Sequence, residues 1–176
     1  MCTHTDLIGR YILAKDGNRP HLMNGTFEED ALLKMVVQTD SIAFPPTTIG
    51  RDAIAEILVR RFNQTYENIY TLCLGEPPKE SDMAYWCQWL VVMSEKASRN
   101  VRIGCGHYDW TFCQVKHSIK SLDITIAGME ILPPEALEPV MRWVKGLPYP
   151  WARLALCAQE PPNILAVHQV LKLLKE

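Results

Sequence analysis

The hydrophobic period of this chain switches from that of helices to that of strands, and the switch limits the folds open to it. Residues 69–74, 84–95, 101–113 and 119–131 have the pattern of strands, separated by turn-rich connections at 76–82, 96–100 and 114–118. That succession predicts an antiparallel meander with long central strands. Ahead of it, residues 5–15 carry Leu7, Ile8, Tyr11, Ile12 and Ala14 on one helical stripe, opposite Asp6, Arg10 and Lys15. Asp16, Gly17, Asn18 and Pro20 end that helix, a short helical piece spans 21–27, and 32–37 reads as a strand closed by the loop at Pro45 and Pro46. After Gly50, a third helix sets Ile54, Ile57, Leu58 and Phe62 against a face of Arg51, Asp52, Glu56, Arg60 and Arg61. Helices first and strands afterwards predict an α+β fold with the helices on one face of the sheet.

The chain does not stop at the meander. Beyond Pro133 and Pro134, a helix places Leu137, Val140, Met141 and Val144 on one stripe, with Pro139 bending or restarting it and Gly146 ending it. Residues 147–150 read as a linker, and Asn163 is placed to cap a last amphipathic helix with Ile164, Val167, Leu171 and Leu174 inward and Lys172, Lys175 and Glu176 outward. The 176 residues thus divide into a domain at 1–146 and an extension at 147–176. An isolated helix this short is marginal in water unless its stripe is buried, so the extension must pack on its own domain, as a lid or otherwise, or on a second protomer.

Charge and side-chain chemistry narrow the function. With 18 Lys and Arg against 20 Asp and Glu, the net charge of −2 gives no footprint for nucleic acid or an anionic membrane. The longest nearly apolar stretch, 84–93, is broken by Gln88 and is about half the ~20 residues of a membrane helix. Six cysteines in no CxxC or zinc spacing read as reduced thiols of a cytoplasmic protein. The five histidines form no HxH or HxxxH pair, so no metal is expected. No cofactor is expected either: there is no phosphate loop or GxSxG elbow, and Gly104 and Gly106 lie in a strand without the following helix of a dinucleotide site.

The central strand carries the chemistry. One face of 101–113 presents Arg102, Gly104, Gly106, Tyr108, Trp110 and Phe112; the other presents Ile103, Cys105, His107, Asp109, Thr111 and Cys113. An aromatic face relieved by two glycines suits the inside of a curved sheet with room for a ligand, which would set Tyr108, Trp110 and Phe112 inward and His107 and Asp109 outward, on a polar face or a dimer interface. The same aromatics would also serve as plain core. With the opposite parity, His107 and Asp109 would form an imidazole–carboxylate pair suited to proton abstraction. Arg10 and Arg102 would either meet an anionic substrate at a pocket mouth or simply be solvated.

The order of elements, with Arg10-Tyr11, Asp16, Phe27 to Ala31, Gly50 to Ile54 and Gly106 to Phe112, resembles the nuclear transport factor 2-like superfamily, also called the SnoaL-like cone, over roughly residues 5–132. The resemblance implies a strongly curved sheet wrapped around helices, enclosing a pocket. It also implies either a cofactor-independent isomerase, dehydratase or cyclase acting on an apolar or polycyclic compound, or a non-catalytic dimeric module. Tyr11 stands sixteen residues before Phe27, as the oxyanion-stabilising tyrosine of ketosteroid isomerase stands before its aromatic. Met35 falls where that enzyme has its general-base aspartate, Asp40 being the next carboxylate, and its second donor falls at Tyr108 or Asp109. Tyr70 lies near the position of the strand histidine of scytalone dehydratase. The residues expected at a site are therefore Tyr11, Tyr108, Asp109 and His107 for catalysis, and Met35, Trp110, Phe112 and Tyr70 for a small hydrophobic ligand. A homodimer is the expected assembly.

Overall fold

Thr3 starts the first helix, α1 (His4–Asp16), with a reciprocal cap: its hydroxyl accepts from Asp6 N–H at 3.0 Å, and the Asp6 carboxylate accepts from Thr3 N–H at 2.9 Å. The structure, a computed structural model, describes residues 2–175; Met1, and Glu176 with its expected solvent-facing place, lie outside them. Leu7, Ile8, Tyr11, Ile12 and Ala14 are all fully buried, so α1 lies with this face against the sheet. A single 3₁₀ turn, Pro20–Met23, stands where a longer helical piece is expected, because Pro20 permits a start and Gly25 at φ 72° forces a stop.

Strand β1 (Phe27–Val37) begins five residues early. The acidic run Glu28 to Asp30 reads as punctuation, yet it is an irregular stretch of strand in which Phe27 pairs with Ile119 and Leu32 already with Ser121. A short strand, β2 (Thr47–Ile49), then pairs back on β1 before the helix α2, residues 51–65. The middle of α2, Glu56–Arg61, is π-helical, which turns Val59 and Asn63 inward while Ile57 stays half-buried. The meander follows as β3 (Tyr66–Leu74), β4 (Ala84–Glu95), β5 (Val101–Cys113) and β6 (Ser118–Leu132). Two elements come after it: helix α3 (Leu137–Val144), with Pro139 tolerated in its first turn, and strand β7 (Trp151–Ala152). The order in the sheet is β2-β1-β6-β5-β4-β3-β7. The meander is antiparallel, but β1 pairs parallel with β6 and β7 parallel with β3, so the sheet is mixed and open at its edges. Alternation along a strand assigns each side chain a face, but it is silent on the direction of the neighbour.

Two cores sit on opposite faces. The concave core joins α1 and α2 to Trp89, Tyr108, Trp110 and Ile124. On the convex side, Leu72, Leu90, Val92 and Ile103 are covered by α3 and by the extension, which consists of β7, the one-turn α4 (Leu154–Cys157) and α5 (Leu165–Leu173). Most of the extension thus lies over the back of the sheet, while Trp151, on the edge strand β7, packs against the concave core. Asn163 does not cap α5; Ile164 holds that position without a side-chain bond.

The two glycines of β5 do not make room for a ligand. A Cβ at Gly106 would fall 1.8 Å from the Thr125 carbonyl oxygen, and one at Gly104 would fall 2.5 Å from Met129 Cε. At Gly106 the close neighbour is the partner strand itself, at a bulge where Cys105 pairs with Gly128 but Gly106 with Ile126. Gly106→Ala is therefore expected to cost about 1–3 kcal/mol, the range for overpacking, and to shift β5–β6 amide resonances. A variant as stable as wild type by urea titration would show that the bulge relaxes freely.

Candidate functional site

The concave core is not filled. Between α1, α2, the β1–β2 loop and the sheet lies a cavity of about 50 Å³, lined largely by apolar side chains such as Met35, Leu58, Met93, Ile124, Ile126 and Met129. It is several times the volume one water needs and well below the ~300–1,000 Å³ of pockets that enclose drug-sized ligands. Half-buried Ile42 and Phe44 of the β1–β2 loop stand at its rim. Arg102 pins that loop: it pairs with Glu95, donates to the Ser41 carbonyl and lies 5.6 Å from the Tyr66 ring. It is thus engaged in structure rather than offered to an anion, and Arg10 is exposed.

Helix α1 sends two polar side chains to the cavity, Tyr11 and Lys15, four residues apart on one face. The Tyr11 hydroxyl is fully buried and has no hydrogen-bond partner. Burial pushes its pKa far above the ordinary phenol value, an effect opposed in part by the neighbouring Tyr108 hydroxyl and reinforced by Asp16. Tyr108 is likewise raised, first by burial and then by the charges Tyr11, Cys73 and Asp16 would carry. Both phenols are therefore neutral, each with an O–H to donate. Trp89 also lines the cavity, and its indole N–H is buried without a partner.

Lys15 belongs by periodicity to the polar side of α1, and only the structure brings it to the site. Its ammonium donates to Asp16 Oδ1 at 2.7 Å and to Thr71 Oγ1 at 2.6 Å, and it sits 4.9 Å from the centre of the Phe62 ring. Both charged side chains are almost wholly buried, with 7% and 5% of their surface exposed. The Asp16 carboxylate is saturated: Oδ1 also accepts from the Thr71 hydroxyl at 2.9 Å, while Oδ2 accepts from Thr71 N–H at 2.7 Å and from the Tyr149 hydroxyl at 2.9 Å. The signal available in the sequence was the pairing of a lysine with the helix-ending aspartate, which reads equally well as a solvated terminus.

The other expected residues divide. Met35 and Tyr108 border the cavity with Tyr11. Trp110 packs behind them, 5.4 Å from Tyr11 and 5.2 Å from Tyr108 between ring centres, and Phe112 lies further down at the closed end, stacked on buried His4 at 4.0 Å. Neither touches the cavity, because β5 runs past it into solid core. Tyr70 is on the wrong face. A bulge between the pairs Glu67–Ser94 and Tyr70–Val92, with Asn68 at φ 53°, inverts the alternation of β3, so Thr71 faces the cavity and Tyr70 packs edge-on against Tyr149 on the convex side. His107 and Asp109 are also convex: their side chains are 3.8 Å apart, half-exposed beside Trp86, and remote from any cavity chemistry. Asp40 is exposed. Among the described residues no three His, Cys, Asp or Glu side chains converge, and all six cysteines are free. No helix among these residues is long and apolar enough to cross a membrane.

A curved sheet wrapped around two helices, with a cavity between them, is the nuclear transport factor 2-like fold. No family model and no curated protein matches the chain by sequence. Solved structures do match it in shape. One is a nuclear transport factor 2-like superfamily protein from Salmonella enterica serovar Typhimurium, 16% identical, with a TM-score of 0.54 over 70% of this chain and 88% of that one. Another is SalBIII, an epoxide hydrolase/cyclase-like enzyme in pyran ring formation in the polyether salinomycin, 11% identical, with a TM-score of 0.53 over 73% and 95%. A third is the pinacolase BvnE from Penicillium brevicompactum, 8% identical, with a TM-score of 0.52 over 68% and 84%. These fold neighbours include enzymes, and the share of this chain they cover is close to that of α1 through β6.

Proposed function

We propose that this chain is a small-molecule-binding cone whose cavity takes a compact apolar compound through an oxygen that accepts a hydrogen bond from Tyr11. Its chemistry is of the isomerase, dehydratase or cyclase kind, carried by donors rather than by a base. The observation that carries this reading is the fully buried Tyr11 hydroxyl without a partner. Leaving a buried hydroxyl unsatisfied costs about 1–3 kcal/mol, so a ligand acceptor is the natural complement. Two protonated phenols and an indole belong to the lining of a space with no carboxylate or imidazole on its wall, which favours polarising a substrate oxygen through a hydrogen bond over abstracting a proton. That SalBIII, named for ring formation, and a pinacolase share the fold is in keeping with this. The cavity's size argues for a compact ligand in place of a polycyclic one.

Cytoplasmic residence and a homodimer complete the proposal. The free cysteines support the first, and the part of the convex face that the extension leaves open, with Trp86 at 53% and Val36 at 52% exposure, offers a surface for the second. The test of the site is Tyr11→Phe, which keeps the ring and removes the donor. Methyl isopropyl ketone, a compact apolar carbonyl compound, is expected to bind the wild type and to lose roughly 5- to 100-fold of its affinity in the variant, whose melting temperature should not fall because the change discards an unsatisfied buried hydroxyl. Equal affinity in the two proteins, by NMR titration, would remove Tyr11 from the site.

A further inference from the structure

The polar atoms on the cavity wall are unequal in kind. Tyr11, Trp89 and Lys15 line the space; the Tyr11 O–H and the Trp89 N–H are buried without partners, and the Lys15 ammonium has three N–H donors and spends two of them on Asp16 and Thr71. Acceptors are scarce there: the Thr71 hydroxyl accepts from Lys15 and gives its proton to Asp16, and Asp16 itself does not border the space. With the Tyr108 hydroxyl as well, these donors exceed the two lone pairs of a single carbonyl oxygen. A carboxylate, which only accepts and offers about four lone-pair sites on two oxygens, matches that excess. The charge balance allows it. Lys15 is paired with Asp16, and the Asp16 charge is taken up by four donors from Lys15, Thr71 and Tyr149. The rest of the wall is methionine, aliphatic and aromatic, with Met35, Met93 and Met129 adaptable in shape, so the remainder of the ligand is apolar.

From this we infer that the site is built for a compact apolar monocarboxylate, with Lys15 as the residue that selects the acid. The inference rests on the cavity being the ligand site, as proposed above, and adds the substrate class and a binding role for Lys15 that periodicity assigned to the solvent.

The experiment uses two compounds of equal size, isobutyrate and methyl isopropyl ketone, titrated into the full chain while the Trp89 indole N–H resonance is followed. In the wild type isobutyrate is expected to bind at least about tenfold tighter than the ketone and to shift that resonance on saturation. Lys15→Met should erase the preference. Because it leaves Asp16 buried without its cation, the double variant K15M/D16N, which removes both charges, is measured beside it and should behave the same way. Ketone binding equal to or tighter than that of isobutyrate in the wild type, or a preference that survives in either variant, overturns the carboxylate assignment. In that case ketone binding that still depends on Tyr11 leaves the ligand cavity standing. Binding of neither compound overturns both.

Discussion

A chain ending at Gly146 is expected to aggregate on expression or, where soluble, to melt more than about 10 °C below the full-length protein. The extension contributes Cys157, Val167, Val170 and Leu174 to the convex core, each at 7% exposure or less. Burying a Val or Leu side chain is worth roughly 1.5–3 kcal/mol, so the three aliphatics together approach the 5–15 kcal/mol net stability of an ordinary domain. Part of this is offset by the conformational entropy that the released segment regains. What is left is a sheet face with Leu72, Leu90, Val92 and Ile103 partly uncovered, the kind of contiguous apolar patch that drives association. Backbone pairing goes as well: Cys73 N–H donates to the Pro150 carbonyl at 2.7 Å and Gly75 N–H to the Ala152 carbonyl at 3.0 Å, so β3 would become a bare edge. The loss reaches the cavity too, because Tyr149 is one of the four donors on Asp16. Light scattering and thermal unfolding decide the matter. A monodisperse truncated chain melting within a few degrees of the full protein would mean that the extension is an ornament.

How much of this could be read beforehand follows from what each signal measures. The long strands β4 and β5 have the bounds that alternation and turn residues indicate, since both faces of a half-buried strand leave their mark on sequence. The sense of β1 and β7 does not, because strand direction is set by how far the chain travels between partners. Tyr70 was misplaced by a single extra residue at Asn68, and no pattern distinguishes a bulge from a strand until the partner is known. Lys15 was assigned to water for an opposite reason. A long side chain one position off the apolar stripe can turn inward when a carboxylate and a hydroxyl from another element wait for it, and that element, β3, is 56 residues away. Tyr11 and Tyr108 were legible because they are large, lie on an apolar stripe and have neighbours with the same periodicity.

Trp110→Ala is expected to cost about 3–5 kcal/mol, the range for emptying a large buried aromatic site, which for a chain of this length lowers the melting temperature by roughly 6–20 °C. Trp110 is 1% exposed and packs against two other buried aromatic rings, with Tyr11 edge-on at 5.4 Å and Tyr108 at 5.2 Å. Its indole N–H has no hydrogen-bond partner, so its contribution is packing alone, reduced by the cost of that buried donor. Two consequences separate this account from a generic core defect. Trp110→Phe, which keeps most of the ring and discards the unsatisfied N–H, should cost well under half as much as alanine. The space left by alanine opens directly behind Tyr11, so the phenol loses the ring that fixes its direction, and affinity for an oxygenated ligand should fall together with stability. Both follow from β5 facing its aromatic residues inward, with His107 and Asp109 on the other side. Melting within a degree or two of wild type in Trp110→Ala would place the indole in solvent and reverse that strand.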